Sequence, residues 1–271
     1  MVKKLMKYEC ISYIRSLLPI ELVVLGIALI TRLVQFAEPK GNNSVAYPII
    51  FGSSCVLFGI ACVTCLVMTI VLAIVRFYRN LFSGEGYLTF TLPVTKPQIL
   101  LTKLLGSFLA ILTTLVTVFA ALNIVCAGDV LVEVYRLLGY LFGKFLEACG
   151  TVNGIFYVIE IALAILVGIM TEMLLFYACL SIGQLANKRR ILLAIGVYFG
   201  YYTFCQILGT VLLVIGTIFG EYIDEWLELM IEQWQFWLHI GFCGFLVMEI
   251  IHGVVYYLIS RWAVTKKLNL E

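Results

Sequence analysis

Long apolar runs dominate the chain, and charged residues are gathered in the short stretches between them. A helix that crosses a bilayer needs about 20 mostly apolar residues. Six runs reach that length: Leu17 to Phe36, Ile49 to Val75, Leu104 to Cys126, Ile155 to Leu180, Ile191 to Phe219 and Phe236 to Ile259. Pro48 stands at the start of the second run, where a first helical turn tolerates its missing N–H. The pattern predicts an all-α, polytopic membrane protein, with six transmembrane helices forming a single domain over 1–271.

Three segments between or before the runs have helical amphipathicity. In residues 1–16, Val2, Met6, Cys10, Tyr13 and Leu17 fall on one face, with Lys4, Ser12, Arg15 and Ser16 opposite. This predicts a surface helix whose cations meet anionic headgroups. In the loop over 127–153, Glu133, Arg136, Tyr140, Lys144 and Glu147 recur at spacings of three and four, with Leu131, Val134, Leu138, Phe142 and Phe145 filling the other face. In the loop over 220–235, Glu221, Asp224, Glu225, Glu228 and Glu232 form an acidic stripe, and no Lys or Arg occurs between Glu221 and Trp237. Each reads as a solvated helix face beside the membrane. The acidic segment also offers an outer gate, with Glu221, Asp224, Trp226 and Trp234 as its candidate residues.

Composition agrees with a membrane solvent. The 271 residues are 63% hydrophobic and 13% charged, whereas a soluble domain is roughly half apolar and a quarter charged. Such a chain cannot cover its surface with polar groups in water; a bilayer removes the need. Orientation follows from Lys and Arg, which collect on the cytoplasmic side of spans. Of the 18 in the chain, only Arg32, Lys40, Arg136 and Lys144 fall on one side of the six-span pattern; the other fourteen fall on the side of both termini. Both termini are therefore expected in the cytoplasm, in the cell membrane of a bacterium. The run after the basic start has no small-residue cleavage site, which argues against a removable signal peptide.

Little catalytic chemistry is visible. There is no G-x-x-x-x-G-K-[ST] phosphate loop, so ATP hydrolysis by this chain is not expected. Nine cysteines lie mostly in apolar runs, and the Cys62-x-x-Cys65 pair has no second pair to complete a metal site. Glu249 and His252 form an E-x-x-H pair, but carboxylate-bridged metal sites need two such pairs with two further Glu. No enzyme activity, cofactor or metal is expected in the chain itself. Ionisable residues within spans are more informative, because they are costly there and turn toward protein or a wet cavity. Glu172 and Glu249, with His252, are candidates for a substrate path or for interhelical contacts. Glu21 and Glu160 are expected to fix packing.

The stretch from Arg76 to Leu105 has the most distinctive order. Gly84 and Gly86 frame Glu85 at a helix start, where a carboxylate is favoured. Tyr87, Leu88, Phe90 and Leu92 supply apolar anchors, Pro93 ends that element, and Lys96-Pro97 opens the next. Such an element suits either a groove on another protein or the membrane surface. The succession Glu85, Thr91-Leu92-Pro93-Val94 and Gln98-Ile99-Leu100-Leu101-Thr102-Lys103 resembles the permease subunits of type-2 ABC exporters. These have a Glu-led loop between the second and third spans, a T-P-v-like turn, and a lysine opening the third span. Two departures stand out: Leu92 separates Thr91 from Pro93, and Thr102 replaces a common glycine. The resemblance extends to the basic start, the six spans, the outer amphipathic segment and the basic tail.

The resemblance implies an exporter permease that pairs with a second permease chain, identical or related, and with two separate ABC ATPase subunits, which carry ATP and Mg. It implies that the loop comprising Glu85, Gly86, Tyr87, Leu88, Phe90, Thr91, Leu92, Pro93 and Val94 is the ATPase-coupling element. Substrates of such permeases include peptides, lipids, glycans and drugs. Partners are then the ATPases, the second permease and membrane lipid, with no nucleic acid. The competing expectation is a secondary transporter using Glu172 or Glu249 as a proton site, although the paired, broken helices usual there are not seen in the sequence.

Overall fold

The structure, a computed structural model, describes residues 2–37, 46–83, 86, 91, 93–186, 189–220 and 230–266. Its regular elements are all helices: α1 (Val2–Phe36), α2 (Ala46–Phe82), α3 (Lys96–Cys126), α4 (Asp129–Cys149), α5 (Thr151–Gly183), α6 (Arg190–Ile218) and α7 (Trp234–Lys266). Six of them, all but α4, are long and apolar enough to cross a membrane. Five contain one of the six apolar runs whole and extend past it at one end or both, and α6 covers its run up to Ile218. At 1.5 Å per residue, the 35 residues of α1 span about 52 Å, against a hydrocarbon core of about 30 Å.

The chain divides into two compact units, one built on α1, α2 and α3, the other on α5, α6 and α7. In the first, α1 and α3 run parallel and α2 runs back against them. Contacts between α1 and α3 pair Glu9 with Lys103 and Glu21 with Thr114, and the Arg32 side chain lies beside Gly128, just past α3. A buried cluster of Val24, Ala28, Phe58, Cys62, Cys65 and Ala121 joins all three helices. Cys62 and Cys65 are therefore core residues. Polar side chains supply the interhelical ties, since lipid gives apolar side chains little reason to associate. Thr69 of α2 and Thr114 of α3 share a hydrogen bond of 2.9 Å, and Thr114 also donates to Glu21 of α1 at 3.3 Å.

The surface helix expected over 1–16 is helical but not separate. It runs without a break through Pro19 into the first span. The physical reason lies in its partners. Tyr13 and Leu17, from the face expected to rest on lipid, are buried, as is Glu9 beside them, and Tyr13 packs on Arg76 of α2 and Gly106 of α3 instead. In a similar way the loop expected over 76–103 is shortened at both ends, since α2 continues to Phe82 and α3 begins at Lys96.

In the second unit α5 and α7 run parallel, with α6 antiparallel beside α5. Asn153 meets Gln235, Glu160 meets His239, and Thr171 donates to the Glu249 carbonyl at 3.3 Å. At the turn into α6 the backbones nearly touch. A Cβ on Gly183 would lie 2.7 Å from both the Ala194 Cβ and the Arg190 carbonyl oxygen. Arg189, which precedes α6, takes the left-handed conformation with φ 56°. The end of α4 joins this unit, where Leu146 packs on Gly154 and Phe145 on Tyr157.

Candidate functional site

The root of the distinctive loop is built by the start of α3. The Thr95 N–H donates to Gln98 Oε1 at 3.1 Å, which satisfies one of the donors a helix start leaves free. Pro97 occupies the first turn. Thr102 turns its hydroxyl back onto the Gln98 carbonyl at 2.7 Å and the Ile99 carbonyl at 2.9 Å. It is buried, so its polar atom is hidden inside the helix's own backbone shell.

The next residue, Lys103, reaches α1. Its Nζ donates to Glu9 Oε2 at 2.5 Å, with side-chain exposures of 6% and 9%. A pair so dry is held by direct attraction, and removal of either partner strands a charge. Gly106 makes this approach feasible, because a Cβ there would stand 2.8 Å from Glu9 Cγ and 3.2 Å from Tyr13 Cε2. From α2, Arg76 donates to the Ser12 carbonyl and to Ser16 Oγ, the latter at 2.6 Å, and lies 4.4 Å over the Tyr13 ring. Two cations, from α2 and α3, thus fasten one end of α1.

Of the loop residues singled out in the sequence, Gly86, Thr91, Pro93 and Val94 are described. Glu85, Tyr87, Leu88, Phe90 and Leu92 lie outside the described residues. The Gly86 N–H donates to the Ser83 carbonyl at 2.7 Å, and Pro93 is exposed. Of the outer-gate candidates, Glu221, Asp224 and Trp226 lie outside the described residues, and Trp234 begins α7, exposed.

The intramembrane carboxylates have different settings. Glu172 is half-buried and accepts from both Tyr202, at 3.0 Å, and Tyr198, at 3.3 Å. Phe176 stacks on Tyr198 with centroids 5.1 Å apart. Glu249 is half-buried too, but its carboxylate makes no hydrogen bond among the described residues. His252 is not its partner; that ring stacks on Tyr256, whose hydroxyl meets Tyr201 at 2.5 Å. The three path candidates therefore share a unit without forming one cluster. Among the described residues, no group of three or more His, Cys, Asp or Glu is placed to hold a metal ion.

The best-formed polar cluster of the second unit is one that sequence reasoning did not assemble. His239 Nδ1 lies 2.8 Å from Glu160 Oε1, and the Tyr157 ring stacks on the imidazole at 4.2 Å, 8° from parallel. The Tyr157 hydroxyl donates to the Gln235 carbonyl at 2.9 Å, and Asn153 donates to the Gln235 side chain at 2.8 Å. Glu160 Oε2 is buried without a hydrogen-bond partner among the described residues. A signal existed. Glu160 stands five residues into the fourth run and His239 three into the sixth. Two parallel helices that begin on one side bring such positions to nearly the same depth.

No protein-family model, curated protein or solved structure matches this chain.

Proposed function

We propose that the chain is the membrane-spanning permease subunit of an ATP-driven exporter of the type-2 ABC kind. The observation that carries this reading is the fastening of Lys103 onto Glu9. Lys103 is the residue that matches the lysine opening the third span in those permeases. A loop that receives motion from a partner must pass it to the spans without yielding. Here the helix that leaves the loop is clamped to α1 by a dry ion pair, and α1 is clamped to α2 through Arg76. A displacement of the start of α3 would therefore be passed to α1 and α2.

In this reading the residues from Glu85 to Val94 dock into a groove on a separate ATPase, and two permease chains enclose a path for the substrate. ATP closes the ATPases, the loops follow, and the path opens outward. Both termini face the cytoplasm, and α4 lies at the outer interface with its charged stripe toward water. The chain lacks a phosphate loop, so it should bind and hydrolyse no ATP when purified alone. Copurification tests the docking. Aromatic and apolar anchors of this sort commonly contribute about 2 kcal/mol or more, roughly thirtyfold in affinity. Tyr87→Ala combined with Leu92→Ala should weaken recovery of the ATPase and abolish transport, while insertion in the membrane survives. Undiminished ATPase binding and transport would rule out this loop as the coupling element.

A second reading, transport driven by an ion gradient, draws on the half-buried Glu160–His239 pair and on Glu172 beneath its two tyrosines. Transport by vesicles that contain the chain and no ATPase would favour it.

A further inference from the structure

The second unit carries two adjoining cavities of opposite character. The first, of about 630 Å³, opens beside the start of α7 and is lined by Asn153, Glu232, Trp234, Gln235 and His239 among others. The second, of about 550 Å³, runs along α7 over Met230, Trp234, Trp237, Phe242 and Phe245. Trp234 lines both. Each lies within the range of about 300–1,000 Å³ that small ligands occupy.

The polar cavity is negative. Glu232 contributes an exposed carboxylate. His239 contributes a ring whose Nδ1 is taken by Glu160. Asn153 adds an amide oxygen, its nitrogen being given to Gln235 Oε1. The nearest cation along the chain on the α4 side, Lys144, is held by Glu147 at 2.7 Å, and the sequence between Glu221 and Trp237 holds no Lys or Arg. The indole of Trp234 adds the π face that organic cations favour.

The apolar cavity is a groove with space left at its floor. Trp234, Trp237, Leu238, Gly241 and Phe245 follow one another at helical spacing along a face of α7. At Gly241 a Cβ would meet no atom within 4 Å. A negative, amide-lined pocket that continues into an aromatic groove matches a molecule with a cationic head and an apolar tail. We propose that the two cavities form one binding site for an amphipathic organic cation, with its ammonium group beside Glu232 and Trp234 and its tail along α7 over Gly241. The site lies within one unit and does not depend on how transport is driven.

The test is equilibrium binding of tritiated decyltrimethylammonium to the full-length chain in nanodiscs of zwitterionic lipid, with empty nanodiscs as the blank. Saturable binding above the blank is expected, displaced by unlabelled decyltrimethylammonium and not by decyl sulfate. Glu232→Gln, at an exposed side chain, should weaken it about fivefold, the range of an exposed ion pair. Gly241→Leu, whose Cβ meets no atom within 4 Å, places an apolar side chain in the groove and should abolish binding. Both variants should remain monodisperse, and Trp234→Phe, which keeps an apolar ring, gives an intermediate loss if either does not. No saturable binding, equal displacement by decyl sulfate, or unchanged affinity in Glu232→Gln and Gly241→Leu would each overturn the proposal.

Discussion

Glu9 and Lys103 stand 94 residues apart in sequence and meet with almost no access to water. Their pairing states the central problem of reading such a chain at the level of residues. Lys103 was visible as the lysine that opens the third span, because charge at a span's edge is conspicuous among apolar neighbours. Its partner was not visible. Hydropathy gives the depth of a residue, but it does not say which face of one helix turns to which face of another. Gly106 had the same fate: nothing in its neighbourhood distinguishes it from glycines that merely fill space, yet a methyl group there would strike Glu9 Cγ. Lys103→Met alone should destabilise the purified protein by about 3–5 kcal/mol, since it leaves a buried carboxylate unpaired. Combining it with Glu9→Gln should recover much of that loss. Thermal unfolding of the four proteins in one detergent measures the coupling, and additive losses would mean that the pair is not a unit. Gly106→Ala should lower stability by about 1–3 kcal/mol, the usual cost of overpacking.

At the scale of elements, helix existence was legible and helix extent was not. Each of the six apolar runs falls on its own helix, to within one residue, because the bilayer leaves a spanning backbone little choice but to bond within its own segment. The ends were misread where polar residues serve protein contacts rather than water. Ser12, Ser16 and Arg76 look like surface groups in the sequence, yet they join α1 to α2, and α1 consequently runs through Pro19 without a separate surface helix. The α5–α6 turn shows how little sequence a close approach requires. Gly183 faces both the Ala194 methyl and the Arg190 carbonyl. Gly183→Ala should therefore destabilise the protein, and Ala194→Gly should relieve only part of the loss, since the backbone oxygen stays in place. Full rescue in the double variant, read as an unfolding temperature equal to the parent's, would show that the side-chain clash alone matters.

At the scale of the whole molecule, the spans and the charge bias carry one further consequence. Six crossings return the chain to its starting side, and α4, with five charged residues in its 21, is not among the helices apolar enough to add a seventh. The termini should then share a side whatever its identity. The identity is expected from Lys and Arg: in the six-span pattern fourteen fall on the side of the termini and four on the other, and an excess of such residues marks the cytoplasmic side of spans. The two statements separate in experiment. A fluorescent protein that matures only in the cytoplasm, fused after Glu271, should glow, and alkaline phosphatase, active only outside, should be silent there. Phosphatase inserted after Ser44, between the first two runs, should be active. Reversal of both reporters would keep the six spans and overturn the orientation. Reporters that agree on one side for both positions would overturn the span count itself, and with it the cytoplasmic placement of the loop on which docking to an ATPase depends.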